Sequence, residues 1–335
     1  MIDYLDVSIN CKHGEIGNIL RNIDVNTGQV RDYRKDFLVK NKLNNSLKVK
    51  SSHNGQRIKI SGNFVKFLQG HNVWGTNDLI GLCFDVVKLV LDKLGISITE
   101  DELNNIKNGK FIIHRVDIAW NYRVDVDVIS KLIKTVGEQW HEQDKDTSNY
   151  GIQTVYLNQH SKHWAFKLYD KRQELKHKPL PLALPHRYKI QEYTNGIIRC
   201  ELKLCGKALQ ECDLDIGSGW SVEMVLEMMQ LALKQTELSG SIYRRLLPKK
   251  VMQLKLKLRQ AYVLWEDGHD LTTLYDYQVL NRMRKAFDKI GVDIKNPPPK
   301  AEVKDVKIAT YFTVENKLNY PKWAKKLGLI HKPKK

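Results

Sequence analysis

The chain has 335 residues, with 55 Lys+Arg against 38 Asp+Glu and a formal net charge of +17. That length suits one large domain or two smaller ones, and basic residues in every third of the chain imply a densely negative partner, nucleic acid before membrane. Five cysteines with no C-x-x-C argue against a zinc ribbon; with no apolar run of membrane-span length and no signal-peptide layout in MIDYLDVSIN, a cytoplasmic protein without membrane partners is expected.

Residues 2–10 alternate Leu5, Val7 and Ile9 against Asp6, Ser8 and Asn10, which reads as a strand. Residues 12–54 are polar and basic, with a hairpin turn at 53–56; strands are expected at about 57–61 and 64–68. Gly70 and Gly75 punctuate a loop. Thr76 or Asn77 then caps a helix carrying Leu79, Leu82, Cys83, Val86, Val87, Val90 and Leu94, which stops at Gly95. Further helices are expected at 99–107 and at 127–142, the latter with Ile129, Leu132, Ile133, Val136 and Trp140 on one stripe. Strands at about 151–158 and 163–171 form a hairpin that runs into a polar helix at 171–177. PLPLALP, 179–185, is broken by prolines. A strand over 196–205 leads to a short helix near 206–212.

LDIGSGW, 214–220, reads as a domain boundary. Beyond it the pattern is helical: a Met/Leu stripe at 221–236, taken as core, then a basic amphipathic helix at 249–267 ended by Gly268. In 269–291, Leu280, Met283, Phe287 and Ile290 form an apolar stripe, and Arg282, Lys285 and Lys289 a basic one. Short helix, turn and basic helix fit a DNA-binding helix-turn-helix; an ordinary solvated surface helix fits as well. Pro297-Pro298-Pro299 opens a linker, and the chain ends in KPKK, expected to lack fixed structure. The resulting division is 1–215, 221–295 with the possible helix-turn-helix, and 296–335 as linker and basic tail.

Three strands carry the chemistry. In FIIHRVDIAWNY, 111–122, Val116, Ile118 and Trp120 share one side, and Arg115, Asp117 and Asn121 the other. In HWAFKLYDKRQE, 163–174, Trp164, Phe166 and Leu168 oppose Lys167, Tyr169 and Lys171. In GIIRCELKLC, 196–205, Ile198, Leu202 and Leu204 oppose Arg199, Glu201 and Lys203. If the three share a sheet, one face packs on helices and the other collects two carboxylates, a tyrosine, arginines and lysines. Asp117 and Glu201 suit Mg2+ or Mn2+, which take hard oxygen ligands. Arg115 and Arg199 suit phosphate oxygens or carboxylates. Tyrosine, with a reference pKa of about 10, becomes a nucleophile only when cations such as Lys167 and Lys171 stabilise the phenolate. Taken singly, each strand reads as cross-strand ion pairs and packing; taken together, they read as a phosphate-chemistry site.

VKFLQGHNVWGTNDL at 65–79 resembles a segment of the gene II replication initiators of filamentous phages. HRVDIAWN resembles their R-x-D strand, WAFKLYDKRQEL their strand with the catalytic tyrosine, and GIIRCELKL their R-x-E strand. The resemblance covers roughly residues 1–215. It implies an α+β fold: an antiparallel-sheet tyrosine nickase domain followed by a helical DNA-binding domain. It further implies a metal-dependent, origin-specific endonuclease that nicks one strand of a supercoiled double-stranded circle. The tyrosine takes the 5′-phosphate, the free 3′-OH primes synthesis with the host helicase and polymerase, and the displaced strand is rejoined. Carried over, Tyr169 is the nucleophile and Asp117 and Glu201 are metal ligands, with His71 and Asn72 as a third ligand or as contacts near the nick. The His-hydrophobic-His motif of related nickases is missing, and Tyr156 and Tyr188 are the candidates for a second tyrosine. Two other classes are a non-catalytic, sequence-specific DNA-binding regulator and a protein that coats single strands.

Overall fold

The computed structural model describes the chain except residues 15, 18, 35–36, 239–240, 243–247, 291, 293, 295–305 and 334–335. Its strands of four or more residues are β1 (Ile2–Asn10), β2 (Ile19–Ile23), β3 (Val30–Arg34), β4 (Phe37–Lys40), β5 (Ser46–Ser52), β6 (Arg57–Gly62), β7 (Ile112–Arg123), β8 (Thr147–Tyr150), β9 (Thr154–Leu157), β10 (Trp164–Asp170) and β11 (Ile197–Cys205). Among the described residues, nine of these form one sheet in the order β4-β5-β6-β1-β7-β11-β10-β9-β8, while β2 and β3 make a separate ribbon. Every neighbouring pair is antiparallel. The fold class is α+β on an antiparallel sheet, as the sequence reading expected.

The helices are α1 (Phe64–Gln69), α2 (Leu79–Leu94), α3 (Glu100–Lys107), α4 (Ile129–Glu142), α5 (Lys171–His177), α6 (Arg187–Tyr193), α7 (Gly206–Glu211), α8 (Val222–Thr236), α9 (Pro248–Gln253), α10 (Leu256–Glu266), α11 (Tyr277–Asp288) and α12 (Lys322–Lys326). No helix among the described residues is long and apolar enough to cross a membrane. One face of the sheet is apolar, because alternate residues of its strands point the same way. Val116, Ile118, Trp120, Phe166, Leu168, Ile198 and Leu202 bury there with the stripes of α2 and α4.

The polar side of the sheet, by contrast, holds most of the charged side chains singled out above, and local sequence explains the bends that bring them there. Asp170 ends β10 and caps α5, its carboxylate accepting from the Arg172 and Gln173 N–H groups. Lys171 is therefore the first residue of a helix, not part of Tyr169's strand. A register irregularity where β1 meets β7, between Ile2 and Tyr4, brings Asp3 to the charged side, where its carboxylate meets Arg199.

Several expected elements differ. The stretch expected as a strand at 64–68 is α1: Asn63 caps it by accepting from Lys66 N, Gly70 ends it at φ 88°, and Phe64, Val65 and Phe67 are buried on one helical side. The cap of α2 is Asp78, one residue beyond Asn77. The helix expected over 249–267 is two, α9 and α10, broken at 254–255. The core does not divide at 214–220: Val225, Met229 and Ala232 of α8 belong to the sheet's core. A second cluster, around Tyr262, Trp265, Leu280, Met283 and Phe287, joins α10 to α11. The expected linker beginning at Pro297 lies outside the described residues. The tail beyond it is packed: Ala324 and Leu329 are buried with Val73, Trp74, Leu175 and Ile190.

Candidate active site on the charged sheet face

Register decides which groups meet. Tyr156, Lys167, Glu201 and Ala119 lie in one row across β9, β10, β11 and β7; Thr154, Tyr169, Arg199 and Asn121 lie in the next. Tyr169 and Glu201 are diagonal neighbours, and the phenol donates to Glu201 Oε1 at 2.5 Å. Tyr169 is 2% exposed. Burial first, and the Glu201 charge second, push its hydroxyl well above the usual tyrosine range. Lys167 was expected beside the phenolic oxygen. Instead its Nζ lies over the Tyr169 ring, 3.8 Å from the centroid, and 3.7 Å from Glu201 Oε2. The group that meets the hydroxyl is a carboxylate, not an ammonium.

Arg199 is fully buried and internally engaged. Its Nε donates to Asn121 Oδ1 at 2.8 Å, and its Nη2 donates to the carbonyls of Val73, at 2.8 Å, and Asn72. Asn121 Nδ2 also donates to Val73 O, at 2.6 Å. Asn72 is held on both sides, donating to Asp3 Oδ1 at 2.8 Å and accepting from Lys171 Nζ at 3.1 Å. Arg199 and Asn72, both expected on phosphate, thus pin the 71–74 loop to the sheet. Lys171 also meets Glu174 Oε2 at 2.5 Å. Burial and then Arg199 lower Lys171 to about 8. Burial opposes ionisation of Glu174, but Lys171 and Arg199 outweigh it and hold Glu174 at about 2.

Asp117 is bound by its neighbour two residues back: Arg115 Nε and Nη2 donate to its two oxygens at 2.7 and 2.6 Å. Burial nevertheless raises Asp117 to about 6, with Glu201 and Asp3 pushing the same way against Arg115. Asp117 and Glu201 therefore do feel each other across the face. Among the described residues no three His, Cys, Asp or Glu side chains are grouped as a metal site. His71 does not join them. Its Nε2 donates to Leu329 O at 2.9 Å, and its Nδ1 accepts from Val73 N at 3.3 Å. Burial lowers it to about 4, so it is a neutral ring tying the C-terminal segment to the 69–74 block. Arg282, Lys285 and Lys289 are not part of this cluster. They stand exposed on and just after α11, while Leu280, Met283 and Phe287 are buried on its other side. Ile290, expected in that apolar stripe, is 37% exposed.

The family model described as the N-terminal part of the phage gene II replication-associated protein matches residues 1–223, the span that contains every strand of this face. The chain belongs to that family. The gene II replication-associated protein of Enterobacteria phage I2-2 is 26% identical over 309 residues, 88% of each chain. A solved rolling circle replication initiator from Geobacillus stearothermophilus aligns over 70% of this chain and 83% of its own, at 12% identity and a TM-score of 0.30, too low to bear on the argument. The resemblance carried by the QGHN, R-x-D, tyrosine and R-x-E segments holds at the level of the family. Two residues of the site in this gene II family member escape a reading of its motifs. Asp3 comes from a strand irregularity. Glu174 follows Lys171 by one helical turn, a spacing that was legible. Asn121 was visible on its strand, but its partner, Arg199, was not.

Proposed function

We propose that this protein initiates rolling-circle DNA replication by cutting one strand at an origin, with Tyr169 as the attacking group. The observation that carries the reading is the Tyr169 hydroxyl aimed at Glu201 at 2.5 Å on the charged face of the sheet. Membership of the replication-associated family and a net charge of +17 support a DNA substrate.

In this reading the phenolic oxygen attacks phosphorus and its proton passes to Glu201. The P–O3′ bond breaks, and the 3′ oxygen, on the far side of phosphorus from the attacking phenol, leaves as a hydroxyl by taking a proton from water. The 5′-phosphate stays on Tyr169, and reversal of the step rejoins the strand. The free 3′-OH primes synthesis by the host helicase and polymerase. Arg199 and Lys171 act as positioning residues, since their donors are already engaged within the protein. Asp117 and Glu201 offer hard oxygens on one face, each now held by a cationic side chain, Arg115 and Lys167, whose place Mg2+ or Mn2+ would take. When bound, such an ion neutralises phosphate charge. Arg115 orients Asp117 in the meantime.

The test is incubation with a supercoiled circle carrying its own origin and Mg2+, followed by digestion of the protein–DNA adduct and mass identification of the modified peptide. The expected result is a phosphotyrosine at Tyr169, lost in Tyr169→Phe and lost on chelation. DNA carried by Tyr156 or Tyr188 overturns the assignment.

A further inference from the structure

We propose that the charged faces of β5, β6 and β1 form a track for the single DNA strand leading to Tyr169; this rests on the reading of Tyr169 as the point of cleavage. On β5, Leu47, Val49 and Ser51 are buried, which turns Lys48 and Lys50 to the other side. On β6, Ile58 and Ile60 are buried, which does the same for Arg57 and Lys59. Register makes this the face of the site: Lys48 aligns with Ser61, Ser61 with Asp6, and Asp6 with Arg115.

Stability does not account for this arrangement. Lys50 and Lys59 stand directly opposite each other on neighbouring strands, and like charges so placed destabilise a sheet. Asp6 meets Lys59 at 3.0 Å, and Asn10 accepts from Arg57 at 3.0 Å, but the surface is basic on balance. The local field also reaches His114, which burial first and Lys59 second hold below its ordinary value. Unlike the sealed centre, this half of the face is open: Lys48 and Lys50 are exposed, and the side chains of Lys59 and Arg115 are each 38% exposed.

The chemistry selects a phosphodiester chain, and its continuity with the site selects a single strand. Five strand intervals separate β5 from β10 in the sheet, about 24 Å at roughly 4.8 Å each, enough for several phosphates in line. Tyr4 lies in register with Asp117, between the lysines and the cluster, and the Arg115 guanidinium stacks over its ring at 4.4 Å. Basic side chains along a path with an aromatic surface beside them are what unpaired strands use. A phenol 2% exposed within a sheet admits a strand that can lie along the sheet more readily than it admits a duplex.

The test uses the full chain, a fluorescent 20-nucleotide dT strand and a 20-base-pair duplex, with binding measured across a salt series. Lys48→Gln/Lys50→Gln changes two exposed side chains outside the tyrosine cluster; an unshifted melting temperature checks the fold, and Lys50→Glu alone serves as the second variant. The expected result is weaker dT binding and a log–log salt slope reduced by about 1.4, roughly 0.7 for each lost phosphate contact, with little change on the duplex. An unchanged dT slope overturns the proposal, and so does a loss confined to the duplex. Cleavage of supercoiled DNA by the unaltered protein is scored in parallel. A reduced slope without any cleavage sinks the role of Tyr169 alone, whereas cleavage with an unchanged slope sinks the track alone.

Discussion

The cluster around Tyr169 and the basic stripe of α11 are both rich in charge, yet they are built in opposite ways. Around Tyr169 the charges are buried and partnered: Arg199 with Asn121 and the 72–73 carbonyls, Lys171 with Glu174 and Asn72, Glu201 with the phenol. On α11, Arg282, Lys285 and Lys289 stand in solvent over a small separate core. Taking a charge out of water is tolerated only where partners replace the water. Substitutions in the cluster should therefore disturb fold and chemistry together, whereas substitutions in the stripe should change affinity alone.

The sharpest way to break that contrast is Arg199→Ala. It leaves the Asn121 amide oxygen and the Asn72 carbonyl without their Arg199 donor, and Asp3 and Glu201 without their buried cation, and should destabilise by about 3–5 kcal/mol in denaturant titration. Arg199→Lys should rescue little, because an ammonium does not reproduce the guanidinium fork. If Arg199→Ala melts like the unaltered protein, the cluster is not the buried network described above.

Tyr169→Phe comes next. It removes the partner of a largely buried carboxylate, so beyond losing the adduct it should cost about 1–2 kcal/mol of stability. Unchanged stability would mean that the Glu201 contact is not maintained in solution.

The pH dependence follows from Asp117. Its folded value, about 6, lies above the ordinary 3.8, so the fold favours the protonated acid. Its contribution to stability is fully present below about pH 4 and is lost as pH rises from there through about 6. Cation binding runs the other way and should strengthen as pH rises through 6. Asp117→Asn should flatten the stability profile across that window and weaken Mg2+ binding in calorimetric titration. A profile as steep as that of the unaltered protein would assign the titration to another group.

The smallest effect on the fold belongs to the stripe. Arg282→Gln/Lys285→Gln/Lys289→Gln should leave stability within about 0.5 kcal/mol. If α11 contacts duplex DNA, the salt slope should fall by up to about 0.9 per lost contact. An unchanged slope returns α11 to an ordinary solvated helix.

The sequence by itself determined which residues of β7, β10 and β11 face the core and which face away, because period-two alternation needs no tertiary information. It also determined the span of α2 and α3, whose apolar spacing is local, though the cap of α2 lies one residue beyond the two it offered, and it carried the motifs of the family. The misreading of 64–68 as a strand was avoidable in principle, since Asn63 and Gly70 bracket it as helix caps. Only the tertiary structure decided which charges meet. Register brought Glu201 rather than a lysine to the Tyr169 hydroxyl, and an irregularity in β1 brought Asp3 to Arg199. The docking of the C-terminal segment put Leu329 O on His71 Nε2, and with Val73 N–H on Nδ1 the ring left the candidate ligands. Those pairings join residues up to 258 positions apart, and a side chain's local pattern states which way it points but not what comes to meet it.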